Sequence, residues 1–414
     1  MEGELLDKVH MYINFPLKLS NLKKLLIFFL LIFLYFSSAI FKVVYESKKY
    51  KKEYIADLSS EERFLSKNYV GAGRDTYHYL KQAYSVYKTL KPFRRLKTFS
   101  GYLFAPFLFI FKNYSILAII FFNVIAFSIV FFIFLNSFNV DFKIKLLLIF
   151  FVFLMTFYYI PRIMLEAYGL IFTLLAIIFF RNNRFFLSLI LLFLVSLIRS
   201  EFFLVFTTFL IFTFYKSKRS FLFSLPFGLI IIIINYAYED KSNFYYWAVL
   251  HYYGLESSEK LAELLKEQKK QEIIGCKIID KKIINIDCYK NIFNSLFNEE
   301  REEFINKALK NILLNPFKIL IFPIEKYRWN VVYLILNLIW FALVLISILR
   351  VFKEEKVFVI SLFLLVLCYA LVFIFGGFDA SRFKLYILPF ELTIILSYLN
   401  KRGVTLFSIL DEKM

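Results

Sequence analysis

The polar stretch 71–90, which reads GAGRDTYHYLKQAYSVYKTL, holds the residues of this chain that are best suited to chemistry. Asp75 stands where a helix N-cap is expected, and the pattern predicts a helix that runs from there to about Leu90. Asp75, Tyr79 and Ala83 are spaced by four residues and therefore share one face of that helix. Two roles for the carboxylate stay open: a helix cap alone, or a cap that also takes a proton from a substrate hydroxyl as general base.

The side chains around this aspartate are aromatic and basic. Tyr77 and Lys81 lie within about one turn of each other on the predicted helix. His78 stands between them, but the chain has three histidines and shows no Cys/His cluster with zinc spacing. We therefore predict no metal site and no certain cofactor, and a divalent cation held by carboxylates is neither required nor excluded.

Composition assigns the chain to the helical membrane proteins. Of its 414 residues, 60% are hydrophobic and 56 are Phe, and the mean hydropathy is +0.65, whereas a soluble domain is about 45–50% apolar. The apolar runs are continuous and do not alternate as the strands of a membrane β-barrel do. We assign the net charge of +19 to loops beside an anionic leaflet and not to nucleic-acid binding, because no basic helix is separable from the apolar runs.

Apolar runs predict an all-α polytopic membrane protein with about ten transmembrane helices. The runs are 24–44, 114–136, 143–160, 163–180, 185–198, 202–215, 220–237, 331–349, 357–375 and 383–399. The first run is long and lacks a cleavage site, so we interpret it as a retained span. If both termini are cytoplasmic, the short basic loops between spans all lie on the cytoplasmic side, where such loops are normally found. We therefore predict a multi-pass protein of the cell membrane with both termini in the cytoplasm.

This topology divides the sequence into three parts. Residues 1–237 form an N-terminal membrane module that includes an external loop over 45–113. Residues 238–330 form a second external region, and residues 331–414 form the C-terminal spans with a cytoplasmic tail.

Charged residues gather at the predicted outer ends of the spans. Glu166 and Glu201 are acidic, and Arg162, Arg199 and Arg382 are basic. Charges at a membrane edge are costly and therefore indicate function, and a carrier is expected to place them at mid-span. The one-sided arrangement favours an enzyme with an extracytoplasmic site. For each arginine, snorkelling to the interface is the simpler alternative.

In their order these features resemble the GT-C glycosyltransferases, specifically the protein O-mannosyltransferase and aminoarabinose-transferase type. That class has one span followed by an external loop that opens with D-[DE]-x-x-Y-x-x-x-A, and residues 75–83 read DTYHYLKQA, with Thr76 in place of the second acid. Four later motifs follow: YLFAPFLFIF (102–111), IPRIMLEAYGLIF (160–172), SLIRSEFFLVF (196–206) and ASRFKLYILPFELTIILSYL (380–399). The resemblance covers residues 20–215 and 330–400.

The resemblance implies a GT-C-like fold and an inverting transfer of a sugar from a polyprenyl-phosphate donor. The acceptor would be a lipid, a glycan or a protein on the extracytoplasmic side, and membrane lipid would surround the enzyme. Asp75 would be the catalytic carboxylate. A lipid phosphate leaves during the transfer, so cations would bind it: Arg382, Arg199, Arg162 and Lys81. The substrate-binding residues would be Tyr79, Glu166, Tyr77 and His78.

The second external region is predicted to mix helix with short strands. Amphipathic helices are expected over 257–272 and 298–317, with a β-prone run over 273–290 between them. Cys276 and Cys288 could form a disulfide there. The region is a candidate lid over the site, and its aromatic group could stack on sugars or form an interfacial belt: Tyr245, Tyr246, Trp247, Tyr252 and Tyr253.

Two other functions stay open. An O-antigen polymerase or ligase would share the span count and the arginines, but that type lacks an acidic first loop such as 71–90. A lipid-glycan flippase or other transporter would use charge at mid-span, for which Glu391 in the last predicted span is a candidate.

Overall fold

Helices make up nearly all of the chain that the structure describes. The structure is a computed structural model, and it describes residues 19–72, 76–91, 98–199, 201–238, 278–279, 282–283, 286–299, 301–321, 331–372 and 380–402, with the isolated positions 249, 252, 253 and 261. The strands within these ranges are two residues long each, so the predicted all-α class is confirmed.

The helices of the N-terminal part are α1 (Leu19–Tyr50), α2 (Glu61–Ser66), α3 (Thr76–Thr89), α4 (Thr98–Phe111), α5 (Ser115–Asn136), α6 (Phe142–Thr156), α7 (Leu165–Arg181), α8 (Phe185–Ile198), α9 (Phe202–Lys216) and α10 (Lys218–Tyr238). The remaining elements are β1 (Ile278–Ile279), β2 (Lys282–Ile283), α11 (Ile286–Glu299), α12 (Arg301–Ile321), α13 (Val331–Val351), α14 (Lys356–Val372) and α15 (Ala380–Arg402).

Each of the ten predicted apolar runs coincides with one of these helices. Among the described residues, two helical stretches are long and apolar enough to cross a membrane: 21–50 in α1, and 99–136, in which α4 and α5 follow one another through a 3₁₀ turn. Shorter apolar helices cover 185–198, 202–216, 335–351 and 356–371. Length and composition thus give a weak indication of membrane association, and the ten-span arrangement belongs to the proposal below.

The chain packs as two units that interleave in sequence. The first contains residues 1–93, 100–174 and 399–414. In it α1 packs against α5 and α6, where Tyr35 lies 5.0 Å from Phe127 and 5.2 Å from Phe153 between ring centroids. The Tyr35 hydroxyl also shares a 2.5 Å hydrogen bond with Thr156 Oγ1. Aromatic packing with a satisfied hydroxyl is what an apolar helix interface requires.

The second unit contains residues 94–99 and 175–398. Its helices α8, α9 and α10 pack on one another, α9 also packs on α14, and α12 packs on α13 and α14. Phe209 joins α7 to α14, since its ring lies 4.6 Å from Phe180 and 5.8 Å from Phe358. This unit holds the C-terminal motif of the sequence together with the Arg199 turn.

The part of the chain between residues 238 and 330 contains a small folded core. Strands β1 and β2 pair antiparallel, with Ile278 opposite Ile283. Tyr252 and Phe293 both pack on Phe304 of α12, with ring centroids 5.5 Å apart in each case. Cys288 is buried and disulfide-bonded, and Cys276 lies outside the described residues. The Tyr252 ring is thus part of a core and not available for stacking on a sugar; Tyr245, Tyr246 and Trp247 lie outside the described residues.

Candidate functional site

The start of α3 is fastened to the turn that precedes α7. Thr76, the first residue of α3, donates a hydrogen bond from its hydroxyl to the carbonyl of Ile163 at 3.0 Å. The Ile163 amide donates in turn to the carbonyl of Gly71 at 3.1 Å. Two stretches that the sequence singled out separately, 71–90 and 160–172, are therefore in direct contact. Asp75 immediately precedes Thr76 in the sequence and lies outside the described residues.

Gly71 makes this close approach sterically feasible. Its φ angle is +73°, a left-handed conformation that residues with a Cβ rarely adopt. A Cβ at this position would lie 3.2 Å from Ile120 Cδ1 and 3.3 Å from the carbonyl oxygen of Pro161. The turn therefore needs a glycine for its backbone angle and also for the space that the 160–164 turn occupies.

A carboxylate at the end of α1 holds the same turn from the other side. The Glu46 carboxylate accepts a 2.9 Å hydrogen bond from the Gly71 amide and a 3.0 Å hydrogen bond from Lys52 Nζ. Lys42, one turn earlier in α1, lies 3.6 Å from the other carboxylate oxygen. None of these three charged residues was a candidate from the sequence, because the contact that places them at the site, from Glu46 to Gly71, spans 25 residues.

Arg162 and Lys42 lie against one aromatic ring. The Arg162 guanidinium carbon is 3.8 Å from the Tyr158 ring centroid, and Lys42 Nζ is 4.5 Å from it. Lys42 also donates to the Tyr158 carbonyl at 3.2 Å. The backbone carbonyl of Arg162 accepts a 2.8 Å hydrogen bond from Asn123 of α5, which fixes the turn. Stacking on an aromatic face leaves the edge of a guanidinium available for an oxyanion.

The charge of this cluster suits an anionic ligand. Lys42 and Lys52 both pair with the single carboxylate of Glu46, and Arg162 shares the Tyr158 ring with Lys42. Basic side chains in a partly buried place attract phosphate more strongly than they would in water, because the local dielectric is lower. We call these four charged residues with Gly71 the Arg162 cluster.

The predicted substrate-binding residues of α3 divide between its two faces. Tyr79 is buried and packs 6.2 Å from the Phe104 ring centroid of α4, so its ring belongs to the core. Tyr77 and His78 are exposed. Lys81 lies 3.9 Å from the Glu61 carboxylate of α2, an exposed ion pair of little strength. The helix itself runs as predicted, from Thr76 to Thr89.

Glu166 lies in the first turn of α7 and is fully buried. The sequence placed it at the outer end of a predicted span. Its helix brings the neighbouring Tyr168 ring to 5.5 Å from Phe104 and 6.4 Å from Phe122, so this end of α7 is enclosed by aromatic side chains.

A second group of predicted residues occurs in the other unit. Arg199 ends α8 and donates from Nε to the Tyr386 hydroxyl of α15 at 3.3 Å. Glu201 and Tyr369 are close enough to interact electrostatically. Arg382 belongs to the first turn of α15, and its side chain lies outside the described residues. Two of the predicted outer helix ends, those of α8 and α15, therefore meet.

Sequence reasoning missed a buried ion pair within α15. Lys384 Nζ lies 2.5 Å from Glu391 Oε1, and the two side chains are 2% and 1% exposed. The Trp340 indole donates to the other carboxylate oxygen at 2.9 Å, and Lys384 also donates to the Leu320 carbonyl at 3.1 Å. The seven-residue spacing of Lys384 and Glu391, two turns of helix, was the available signal.

In the loop between α1 and α3, two groups outside the predicted spans have shifted pKa values. Burial raises the pKa of the Tyr69 phenol to about 12, so this side chain stays neutral. Hydrogen bonds from Ser59 lower the pKa of the exposed Asp57 carboxyl. Within the described part of the chain, no three His, Cys, Asp or Glu residues are grouped so as to hold a metal ion.

Comparison of the chain with protein-family models, with curated proteins and with solved structures found no match.

Proposed function

We propose that this protein is a multi-pass membrane glycosyltransferase of the GT-C type, which moves a sugar from a polyprenyl-phosphate donor to an acceptor on the extracytoplasmic side of the membrane. The observation that carries the proposal is the contact between Thr76 and Ile163. The resemblance predicts that the acidic motif of 75–83 and the turn at 160–164 share one site. These two segments are 87 residues apart and yet hydrogen-bonded, which supports a shared site.

In this mechanism Asp75 accepts the proton of the acceptor hydroxyl as the oxygen attacks the anomeric carbon. The new C–O bond forms on the face opposite the leaving group, so the configuration inverts. The bond between the sugar and the phosphate oxygen breaks, and its electron pair stays on polyprenyl phosphate. Arg162 and Lys42 stabilise that developing charge, because fixed cations in a place shielded from water act most strongly on charge that grows in the transition state.

Contacts between helix ends support the topology on which the proposal rests. Arg181 Nη1 lies 2.6 Å from the Glu355 carboxylate, and Ser397 Oγ donates to the same carboxylate oxygen at 2.7 Å. All three come from ends predicted to be cytoplasmic. Arg199 and Tyr386, which meet in the same unit, come from ends predicted to be external.

The direct test is a transfer assay with the whole protein in lipid vesicles and a panel of labelled polyprenyl-phosphate sugars. Wild type is expected to consume at least one donor, and Asp75→Asn is expected to lose on the order of a hundredfold in rate, as loss of a general base costs. Asn caps a helix about as well as Asp, so folding should be unchanged. Asp57→Asn, a change at an exposed carboxylate in the same loop, is the matched control and should keep full activity.

The alternative that an observation favours is a transporter. The buried Lys384–Glu391 pair lies inside the last predicted span, where carriers place charges that move protons or ions. If wild type consumes no donor in vesicles but moves a labelled lipid-linked glycan across the bilayer, and Glu391→Gln abolishes that movement, the transporter replaces the transferase.

A further inference from the structure

Several buried polar atoms near the Arg162 cluster have no hydrogen-bond partner in the part of the chain that the structure describes. They are Asn123 Oδ1, Tyr168 Oη and Arg162 Nε. Asn123 is fully buried and Tyr168 is 4% exposed. Buried polar groups are nearly always hydrogen-bonded, so three such atoms on neighbouring elements indicate a bound ligand that supplies the missing bonds.

The three atoms belong to one small region of the first unit. Asn123 donates from its amide nitrogen to the carbonyl of Arg162 at 2.8 Å, which holds its side chain against the 160–164 turn. Tyr168 lies six residues beyond Arg162, and its ring is 6.4 Å from that of Phe122, the neighbour of Asn123 in α5. The region thus lies where α5, α7 and the turn meet.

The chemistry of the orphaned atoms is mixed in a way that fits hydroxyl groups. The amide oxygen only accepts, the guanidinium nitrogen only donates, and the phenol does both. Each hydroxyl of a sugar can donate one hydrogen bond and accept others, so adjacent hydroxyls can serve all three atoms. A phosphate would satisfy the arginine nitrogen and leave the amide oxygen without a donor.

Aromatic rings enclose the same region. Phe104 lies 5.5 Å from Tyr168 between ring centroids, and Phe122 lies 6.4 Å from Tyr168. Flat apolar walls with a few polar groups are the usual lining of a pocket for a ring-shaped ligand. The apolar faces of a sugar ring fit such walls while its hydroxyls meet the polar atoms.

We infer that Asn123, Tyr168 and Arg162 Nε form the pocket for the sugar ring of the donor, and that Asn123 and Tyr168 determine which sugar is accepted. This inference rests on the proposed function, because it assumes that the donor phosphate binds to the neighbouring cations of the Arg162 cluster. Asn123 and Tyr168 recognise hydroxyls, so their contribution is absent from a lipid phosphate that carries no sugar.

The test measures binding and does not need turnover. The full chain in detergent micelles is titrated with a polyprenyl-phosphate sugar and, separately, with the same polyprenyl phosphate without sugar, and the shift in thermal unfolding gives each affinity. Wild type should bind the sugar-bearing lipid more tightly. Asn123→Leu and Tyr168→Phe should each reduce this preference by roughly tenfold, the worth of about one hydrogen bond. Tyr168→Phe should bind the sugar-free lipid as wild type does. Asn123→Leu also removes the hydrogen bond that fixes the Arg162 turn, so it should bind both lipids more weakly.

Tyr35→Phe serves as the matched control, because Tyr35 is a buried tyrosine of the same unit whose hydroxyl already has a partner. It should keep the full preference for the sugar-bearing lipid. If wild type binds both lipids equally, or if both pocket variants keep the preference, the pocket holds structural water and the inference is wrong. If wild type binds neither lipid, the proposed function itself fails, which is a different result.

Discussion

At the scale of single residues, the stacking of Arg162 on Tyr158 is the feature most open to test. A guanidinium presents several N–H groups in one plane, whereas an ammonium is a point charge that cannot lie flat on the ring. The 3.8 Å separation of the guanidinium from the Tyr158 ring thus distinguishes arginine from lysine at this position.

We therefore expect Arg162→Lys to weaken binding of polyprenyl phosphate about tenfold, as loss of one charged hydrogen bond would. The measurement is a titration of the whole protein in micelles with that lipid. Arg63→Lys, at an exposed position of α2, should leave the affinity unchanged. Equal affinities for wild type and Arg162→Lys would remove Arg162 from the phosphate site.

The buried pair of Lys384 and Glu391 predicts a coupled effect on stability. Glu391→Gln leaves the Lys384 ammonium buried without a counter-charge. Lys384→Met likewise leaves the Glu391 carboxylate buried without a counter-charge. Each change should lower the free energy of unfolding by about 3–5 kcal/mol. The double variant removes both charges and should recover much of that loss. Denaturant unfolding in micelles measures all three, and additive losses would show that the pair does not act as a unit.

The sequence could predict those site residues whose role depends on nearby positions in the chain, and it missed those whose partners are far away in the chain. Of the residues in the Arg162 cluster, the sequence singled out Arg162, because it stands beside a predicted span end. Lys42 and Glu46 were missed, because Glu46 finds its Gly71 partner 25 residues away, through a turn that no local pattern encodes. Tyr79 was predicted to bind substrate. In the structure Tyr79 and Ala83 are both buried, so the face of α3 that they share packs in the core.

At the scale of elements, helix positions followed from the sequence because apolar runs and their breakers are local. The α8 helix spans 185–198 as predicted, and α3 ends one residue before the predicted Leu90, which has a positive φ. Contacts between elements depend on the shapes of single residues. Gly71 is the clearest case, since its turn exists only where a Cβ is absent.

Gly71→Ala should destabilise the first unit by about 1–2 kcal/mol or more, because the left-handed backbone alone costs that much for a residue with a Cβ. Gly228→Ala is the control. That glycine lies inside α10 without a positive φ, and an added Cβ would meet only the Phe206 ring edge at 3.3 Å. Alanine favours helix by about 1 kcal/mol, so Gly228→Ala should be nearly neutral. The denaturant midpoints of the two variants measure these changes in stability. An equal loss of stability in both variants would refute the requirement for glycine in the Gly71 turn.

At the scale of the whole molecule, the proposed topology has a direct consequence for labelling. In a Cys368→Ser background, which removes the free thiol, Asp57→Cys should react with a membrane-impermeant maleimide added to intact cells. Lys353→Cys, between α13 and α14, should react only after the membrane is permeabilised. Lys353 is exposed and Asp57 is partly exposed, so a thiol at either position can react once the reagent reaches it. The reverse labelling pattern would show that the protein has the opposite orientation in the membrane, with the site on the cytoplasmic side.

The hydrogen bond between Thr76 and Ile163 also sets an order of assembly during synthesis. The ribosome must add 87 further residues after Thr76 before its partner exists, a delay of roughly 4–17 s at about 5–20 residues per second. Until then the loop over 45–113 lacks the turn that holds it. Chains stalled before residue 163 should therefore carry a loop that proteases cut, and chains stalled once α7 has emerged should resist the same protease.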